Sequence, residues 1–550
     1  MFYGDLSLMQ PDPTTCSRAR FARDPRFDGR FFIAVLTTRI YCRPICPARP
    51  PKEENVRYYA TAAAAAEAGF RPCLRCRPEC SPGTPAWLGT SATVSRALRL
   101  ISESALEDAS IDSLAARVGI GSRHLRRLFL QHLGATPIAI AQTRRLHFAK
   151  KLIDETHLPM SQIALASGFG SVRRFNATFQ KTYGRTPTHI RTLARHAPAE
   201  EEDEYRFLLR FRPPLDWNGL LEFLGPRAIP GVEVINDDSY RRTFQLDKQT
   251  GWLEAALDAD ASSLALRIHF PDPRSLFLIV ERVRRLFDLS ADPAEITPHL
   301  RRDPLLARRI AARPGLRVPG AWDGFELAIR AILGQQVTVR GASTLAGRLV
   351  REFGTPVSGN HGLTHIFPTA EKLADVDVAR IGLPRARANT IRALARAVMK
   401  GDIEFSATDV DAFRERLCAL PGIGDWTAQY IAMRALGEPD AFPASDLGLL
   451  HATGIRNPRE LQARAEAWRP WRAYAAMHLW QGKAPRPSPA RQRRYAPARQ
   501  SAGGAPQLGP ALQGWVRDRS TDKSRRDDQR SQAKRNHPSR AATPFISPPR

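Results

Sequence analysis

The stretch LPGIGDWTA (420–428) decides how the second half of this chain is read. Gly422 and Gly424 fall in a tight turn between two runs of helical periodicity, and a residue without Cβ lets backbone N–H groups approach an anion closely. The start of the helix that follows favours the same anion, and Thr427 is read with the two glycines as a DNA contact. An isolated LPGIG is also an ordinary link between helices, so the residues downstream carry the decision. One helical run further on, DAFPASD (440–446) closes on a carboxylate, Asp446. An Asp after Pro and Ser is a natural helix cap; here it is also an acid delivered beside whatever the hairpin holds.

Outward from this stretch, the 550 residues exceed one hydrophobic core, and several domains are expected. A formal charge of +27, from 82 Lys and Arg against 55 Asp and Glu, favours a polyanionic partner, nucleic acid first. No stretch has the apolar length of a membrane span, and MFYGDLSLMQ lacks the pattern of a secretory signal, so a cytoplasmic, nucleoid-associated monomer with no membrane partner is expected. The fold class is multidomain and mainly α. A Cys- and Pro-rich small domain (1–85) with one helical run, TAAAAAEAGF, precedes a helical block (90–196). An α+β subdomain (204–290) is marked by the strand-like FLLRF (207–211) and SLALRIHF (263–270). Helices joined by short Pro/Gly turns follow (291–483), then a basic tail (484–550) too poor in apolar periodicity to order itself.

Seven cysteines, five of them between Cys42 and Cys80, argue for metal or reactivity rather than disulfides. Cys42 and Cys46, then Cys73 and Cys76, form two close pairs separated by a loop, which suits tetrahedral Zn²⁺, one per chain and with no organic cofactor. Spacing alone does not separate a structural site from a reactive one. Cys80 is a possible substitute ligand, whereas Cys16 and Cys418 read as ordinary thiols. The segments TTRIYCRPIC, ENVRYY and AGFRPCLRC resemble the N-terminal domain of Ada-type alkylation-response proteins over residues 10–80. The resemblance implies that Cys42 is both ligand and nucleophile, taking a methyl group irreversibly from a methylphosphotriester in DNA. Four thiolates around Zn²⁺ carry a formal net charge of about −2, which keeps sulfur nucleophilic; methylating one brings it to about −1 and lessens repulsion from phosphate.

The next block holds two units of short helix, Gly-containing turn and second helix, 111–129 and 160–179. Arg123, Arg126 and Arg127 in the first, and Arg173 and Arg174 in the second, are placed to contact DNA, although basic solvent faces are common on helical bundles. Their spacing and the ending GRTPTHIR resemble the AraC-type DNA-binding domain. No Pro-Cys-His-Arg sequence occurs, so reversal of O6-alkylguanine is not expected.

From about residue 205 to 482, the segments RPPLDW, AILGQQVTV, LPGIGDWTA and WRPWRAYAAMHLW, in that order, resemble AlkA-like 3-methyladenine DNA glycosylases of the helix-hairpin-helix superfamily. The resemblance implies that Asp446 is catalytic and that Trp426, Tyr430 and Trp480 line the base pocket. It places Gln336 where a side chain plugs the gap left in DNA. Trp426 stands where bifunctional relatives carry a lysine, which implies base removal without strand cleavage. The chain departs from the family's type member at Gln336, where an apolar wedge is usual, and at Leu447, where an aromatic follows the Asp. The expectation is a fused repair protein acting on double-stranded DNA, alkylated or at promoter sites. The competing reading is a transcriptional regulator with structural zinc and an inactive glycosylase fold.

Overall fold

The computed structural model describes residues 11–82, 92–102, 110–193 and 203–481, apart from 237, 259, 261, 359–361 and 407–408. The tail expected from residue 484 lies outside the described residues.

Helix α1 (Pro13–Ala22) begins where the Asp12 side chain accepts the Thr15 N–H. It is followed by a sheet of β1 (Phe32–Val35), β2 (Ile40–Cys42), β3 (Val56–Tyr59) and β4 (Arg71–Pro72) in the order β3-β1-β2-β4. The alanine run forms α2 (Ala62–Glu67), capped by Thr61. The core under it is small: Phe32, Ala34, Tyr41, Ala65 and Phe70. Strands β2 and β4 pair in parallel, and the Cys73 N–H donates to the Tyr41 carbonyl at 3.0 Å, which sets the two cysteine pairs side by side.

The helical block comprises α3 (Ala92–Ser102), α4 (Ile111–Arg117), α5 (Ser122–Leu133), α6 (Pro137–Glu155), α7 (Met160–Ala166), α8 (Val172–Tyr183) and α9 (Pro187–Leu193). Gly119 and Gly168 close α4 and α7 in the left-handed region, at φ +76° and +75°. There the N–H groups of Ile120 and Phe169 reach back to the carbonyls of Ala115 and Ala164, both at 3.0 Å. The second helices bury the same i, i+4, i+8 stripe: Leu125, Phe129 and Leu133 on α5, Phe175, Phe179 and Tyr183 on α8. The block is therefore two copies of one unit joined by α6. Helix α6 also packs on the next domain, with Phe148 5.0 Å from Phe277 between ring centroids and Lys151 donating to the Leu208 carbonyl at 2.8 Å.

The strand-like segments become β5 (Glu204–Arg210) and β9 (Ser263–His269) of an antiparallel sheet, completed by β6 (Glu233–Ile235), β7 (Ser239–Leu246) and β8 (Gln249–Leu257) in the order β5-β9-β8-β7-β6. Helices α10 (Trp217–Leu224), α11 (Leu276–Leu286), α12 (Pro293–Leu300) and α13 (Pro304–Ala312) accompany it. Then come α14 (Gly324–Leu333), α15 (Val339–Phe353), a short pair β10 (Thr355–Pro356) and β11 (His365–Ile366), α16 (Ala370–Asp375), α17 (Arg385–Lys400), α18 (Val410–Cys418), α19 (Asp425–Ala435), α20 (Leu447–Thr453), α21 (Pro458–Ala465) and α22 (Arg472–Trp480). The two large cores cut across chain order. One unites the sheet and α10–α13 with residues of α6–α9 and α19–α22; the other holds most of the buried residues of α14–α19. The hairpin of α18 and α19 thus stands largely on one core while Asp446 and Trp480 lie against the other, and the site residues meet where the two adjoin.

Candidate base-excision site and four-cysteine centre

In the hairpin the two glycines turn out to do different jobs. Gly422 has φ +83°, and a Cβ there would lie 2.3 Å from Thr390 Oγ1 on α17. Its glycine is required by backbone conformation and by packing. Gly424 has open space around it and forms the uncapped start of α19. Thr427, expected among the DNA contacts, is 3% exposed, and its hydroxyl accepts from Gln335 Nε2 at 3.0 Å. What Thr427 has left for an anion is its backbone N–H. Gln335 also donates to the Gly422 carbonyl at 2.9 Å, so this side chain, not singled out in the sequence, ties the α14–α15 turn to the hairpin.

Its neighbour Gln336 is exposed in that turn and holds φ +56° without being glycine, a conformation that costs about 1 kcal/mol or more. Exposed Val337 and Val339 follow it, so apolar surface surrounds the tip after all. Arg387 donates to the Gln335 carbonyl at 2.8 Å and holds the turn from α17.

Asp446 is both the helix cap and the centre of a polar cluster. Its Oδ1 accepts the Leu449 N–H at 3.0 Å, capping α20, and also Trp480 Nε1 at 2.8 Å. Its Oδ2 accepts Trp426 Nε1 at 3.0 Å. Three donors from three elements therefore fix the carboxylate. Trp426 and Tyr430 stack at 5.6 Å with an interplanar angle of 9°, and Tyr430 meets Trp480 edge-on at 6.2 Å. The three expected aromatics thus form one half-buried cage around Asp446.

Three further contributors could not be read from local sequence. Phe223 of α10 stacks against Trp480 at 6.3 Å. Arg434 donates to the Tyr430 hydroxyl at 2.8 Å. Burial pushes the Tyr430 phenol up, but the guanidiniums of Arg434 and Arg227 outweigh it, and the net direction is down. Gly448 is the third: a Cβ there would sit 3.0 Å from Asp446 Oδ1 and 3.3 Å from the Trp480 ring. Leu447, where an aromatic was expected by resemblance, is 71% exposed beside the acid.

At the other end of the chain the sulfurs of Cys42, Cys46, Cys73 and Cys76 all lie within 4.8 Å of one another. Hydrogen bonding among these sulfurs splits their ionisation, driving Cys42 and Cys76 up and Cys46 and Cys73 down. Cys42 and Cys46 are partly exposed, whereas Cys73 and Cys76 are buried. Behind the cluster, Arg43 is 3% exposed and ion-paired to Asp28, its backbone N–H pointing to Cys76 Sγ at 3.4 Å. Such a compact set of soft donors, two sealed and two accessible, fits a Zn²⁺ ion. Cys80 lies outside the group, and burial pushes its thiol up. On the helical block Arg123, Arg126 and Arg127 of α5, and Arg173 and Arg174 of α8, are all exposed, at the N-terminal ends of the two second helices.

A two-core helical domain with a hairpin, an acid and an aromatic cage, preceded by a four-cysteine domain and paired helix-turn-helix units, defines a base-excision DNA glycosylase fused to a regulatory module. The comparisons agree domain by domain. The chain matches the metal binding domain of Ada over residues 15–79, a helix-turn-helix domain over 114–192, the AlkA N-terminal domain over 206–323, and the HhH-GPD superfamily of base excision DNA repair proteins over 329–472. It is 43% identical over 481 residues to the probable bifunctional transcriptional activator/DNA repair enzyme AlkA of Mycobacterium tuberculosis, covering 86% of this chain and 97% of that one. It is 33% identical to DNA-3-methyladenine glycosylase 2 of Escherichia coli, over 50% of this chain and 96% of the relative. To the bifunctional transcriptional activator/DNA repair enzyme Ada of Escherichia coli it is 36% identical, over 31% of this chain and 46% of the relative. The chain belongs to the family of the bifunctional transcriptional activator/DNA repair enzyme AlkA. Among the described residues no helix is long and apolar enough to cross a membrane.

Proposed function

We propose that the chain repairs alkylated double-stranded DNA in two ways, hydrolysing the glycosidic bond of alkylated purines such as 3-methyladenine and accepting methyl groups at Cys42. The observation that carries the first activity is the carboxylate of Asp446 held by three N–H donors at the edge of the aromatic cage. An N3- or N7-alkylated purine is cationic and departs as a neutral base, so the site must extrude it, stack it and stabilise the sugar cation left behind. Trp426, Tyr430 and Trp480 supply the stacking faces, each attracting a cationic base by about 0.5–2 kcal/mol. Asp446 places negative charge opposite the developing oxocarbenium and orients the water that adds to C1′. The uncapped start of α19 at Gly424 binds the phosphate backbone, and Gln336 occupies the gap in the duplex. With Trp426 where an amine nucleophile would stand, the product is an abasic site.

In the N-terminal domain Cys42, Cys46, Cys73 and Cys76 hold one Zn²⁺, which keeps the sulfurs as thiolates when bound. The exposed edge of Cys42 then attacks a methylphosphotriester: the S–CH₃ bond forms as the CH₃–O bond breaks, leaving a phosphodiester anion. The arginines of α5 and α8 hold the DNA.

Mass analysis of the bases released from methylated duplex tests excision and substrate range together, with methylated purines expected in the wild-type digest. Borohydride should trap no protein–DNA adduct; a trapped adduct would contradict simple hydrolysis. Labelled methyl should reach the wild type and not Cys42→Ala, and labelling of that variant would move the acceptor elsewhere.

A further inference from the structure

Helix α13 (Pro304–Ala312) has no part in the excision chemistry above, yet its polar side chains reach α10, α20, α21 and α22. Its body is seated by Leu306 and Ile310 in the larger core. At its start the Asp303 carboxylate, which caps the helix, also accepts Arg464 Nη2 of α21 at 3.1 Å and Trp468 Nε1 at 3.0 Å. In its second half, half-buried Arg309 donates Nη2 to the Ala452 carbonyl of α20 at 3.1 Å. Its Nη1 donates to the His478 and Leu479 carbonyls of α22, both at 3.3 Å. Just past the helix end Arg313, 7% exposed, pairs with Glu222 of α10 and donates to the side-chain carbonyl of Gln481, the residue after Trp480. Gln481 Nε2 in turn donates to the Gly219 carbonyl of α10 at 2.8 Å.

Ala452, His478 and Leu479 stand in the last turns of their helices, where carbonyls lack an intrahelical partner and partial negative charge gathers. A guanidinium presents its N–H groups in a fixed planar fork, so one side chain serves both helix ends at once. These two helices carry the two sides of one contact in the site. Helix α20 begins at its cap Asp446, α22 ends at Trp480, and Trp480 Nε1 donates to Asp446 Oδ1 at 2.8 Å. With only seven residues, α20 depends on tertiary support, and its Arg309-bound end moves with its Asp446 end. Leu479, also held by Arg309, directly precedes Trp480. A drift of the indole by about 1 Å would take its N–H out of hydrogen-bond range and free the carboxylate to turn.

We propose, resting on the excision reading above, that Arg309 is a positioning residue for base removal. By bridging the C-terminal ends of α20 and α22 it sets the bond between Trp480 and Asp446, and with it the direction in which the carboxylate faces C1′. Arg313 secures the same end of α22 against α10 through Gln481.

Single-turnover release of alkylated purines from methylated duplex tests this in the full chain, through a cycle of Arg309→Met, Trp480→Phe and the double variant. Arg309→Met should slow release by about tenfold, the scale of one lost charge-assisted hydrogen bond. Its affinity for a duplex carrying an abasic site should stay within about twofold of wild type, which separates the chemical step from binding. Because Arg309 acts through Trp480, adding Arg309→Met to Trp480→Phe should slow release by less than about twofold more. Arg309→Lys, which keeps the charge but not the fork, should fall between wild type and Arg309→Met, and it carries the same cycle if the Met variant does not fold. Arg308→Met, on the exposed side of the same helix, should match wild type in rate. Losses that multiply in the double variant, or an Arg309→Met rate equal to wild type, would overturn the positioning role and leave excision standing. A wild type that releases no alkylated base would remove the excision reading and this inference with it.

Discussion

The four-cysteine centre and the carboxylate cage are built on opposite plans. All four sulfurs come from residues 42–76, from one small domain with two thin cores, Phe32, Tyr41 and Phe70 in one and Cys16, Phe31 and Ile33 in the other. The cage draws on residues 223–480, from α10, α19, α22 and the start of α20, on two large cores. A domain with so little apolar burial needs its ion to stay folded. The cage has scaffold to spare, so its chemistry can be altered while its fold stands.

Chelation should break the comparison most visibly. Zinc bound to small domains contributes on the order of 10–16 kcal/mol of apparent folding free energy. Stripping it should make residues 11–82 protease-sensitive and end methyl transfer, with base release from methylated DNA largely retained. Loss of both activities together would mean that the two halves fold as one. A smaller effect is expected from Trp480→Phe, which keeps the ring but removes the donor at 2.8 Å from Asp446 Oδ1. Base release should fall about tenfold to a hundredfold, with methyl transfer untouched. Within the hairpin, Gly422→Ala should cost about 1–3 kcal/mol, because a left-handed φ and contact with Thr390 coincide. Gly424→Ala meets nothing and should leave the melting temperature nearly unchanged.

The smallest effect concerns pH. Burial pushes His478 on α22 down to about 4 from 6.5, so the folded state binds fewer protons than the unfolded one between those values. Its contribution is present above about 6.5 and is lost as pH falls toward 4. Asp288, pushed up to about 6 by burial, acts in the opposite sense, gaining stability as pH falls through 6. Because Asp288 is common to both proteins, comparing melting curves of wild type and His478→Gln isolates the histidine: the variant should lose less stability on acidification.

The same contrast explains what could be read in advance. Cys42, Cys46, Cys73 and Cys76 were legible because metal ligation imposes its own spacing on the sequence. Asp446, Trp426 and Trp480 were legible through the order of several separated motifs, and the strands at 207–211 and 263–270 through their apolar runs and period. Phe223, Gln335 and Gly448 were not, because each reaches the site through tertiary packing or through a neighbour's side chain, and nothing local distinguishes them from core, surface or turn residues. Thr427 shows the same limit from the other side. It was expected among the DNA contacts, but its hydroxyl faces inward, where Gln335 meets it.

The central claim, that Asp446 carries base excision, is tested most directly by the rate of alkylpurine release from methylated DNA by wild type and Asp446→Asn. Asparagine caps a helix as well as aspartate does, so the α20 start and the fold should survive while the negative charge is lost. Release slowed by about a hundredfold or more, with an unchanged melting temperature, is the result expected; release at the wild-type rate would take Asp446 out of the mechanism.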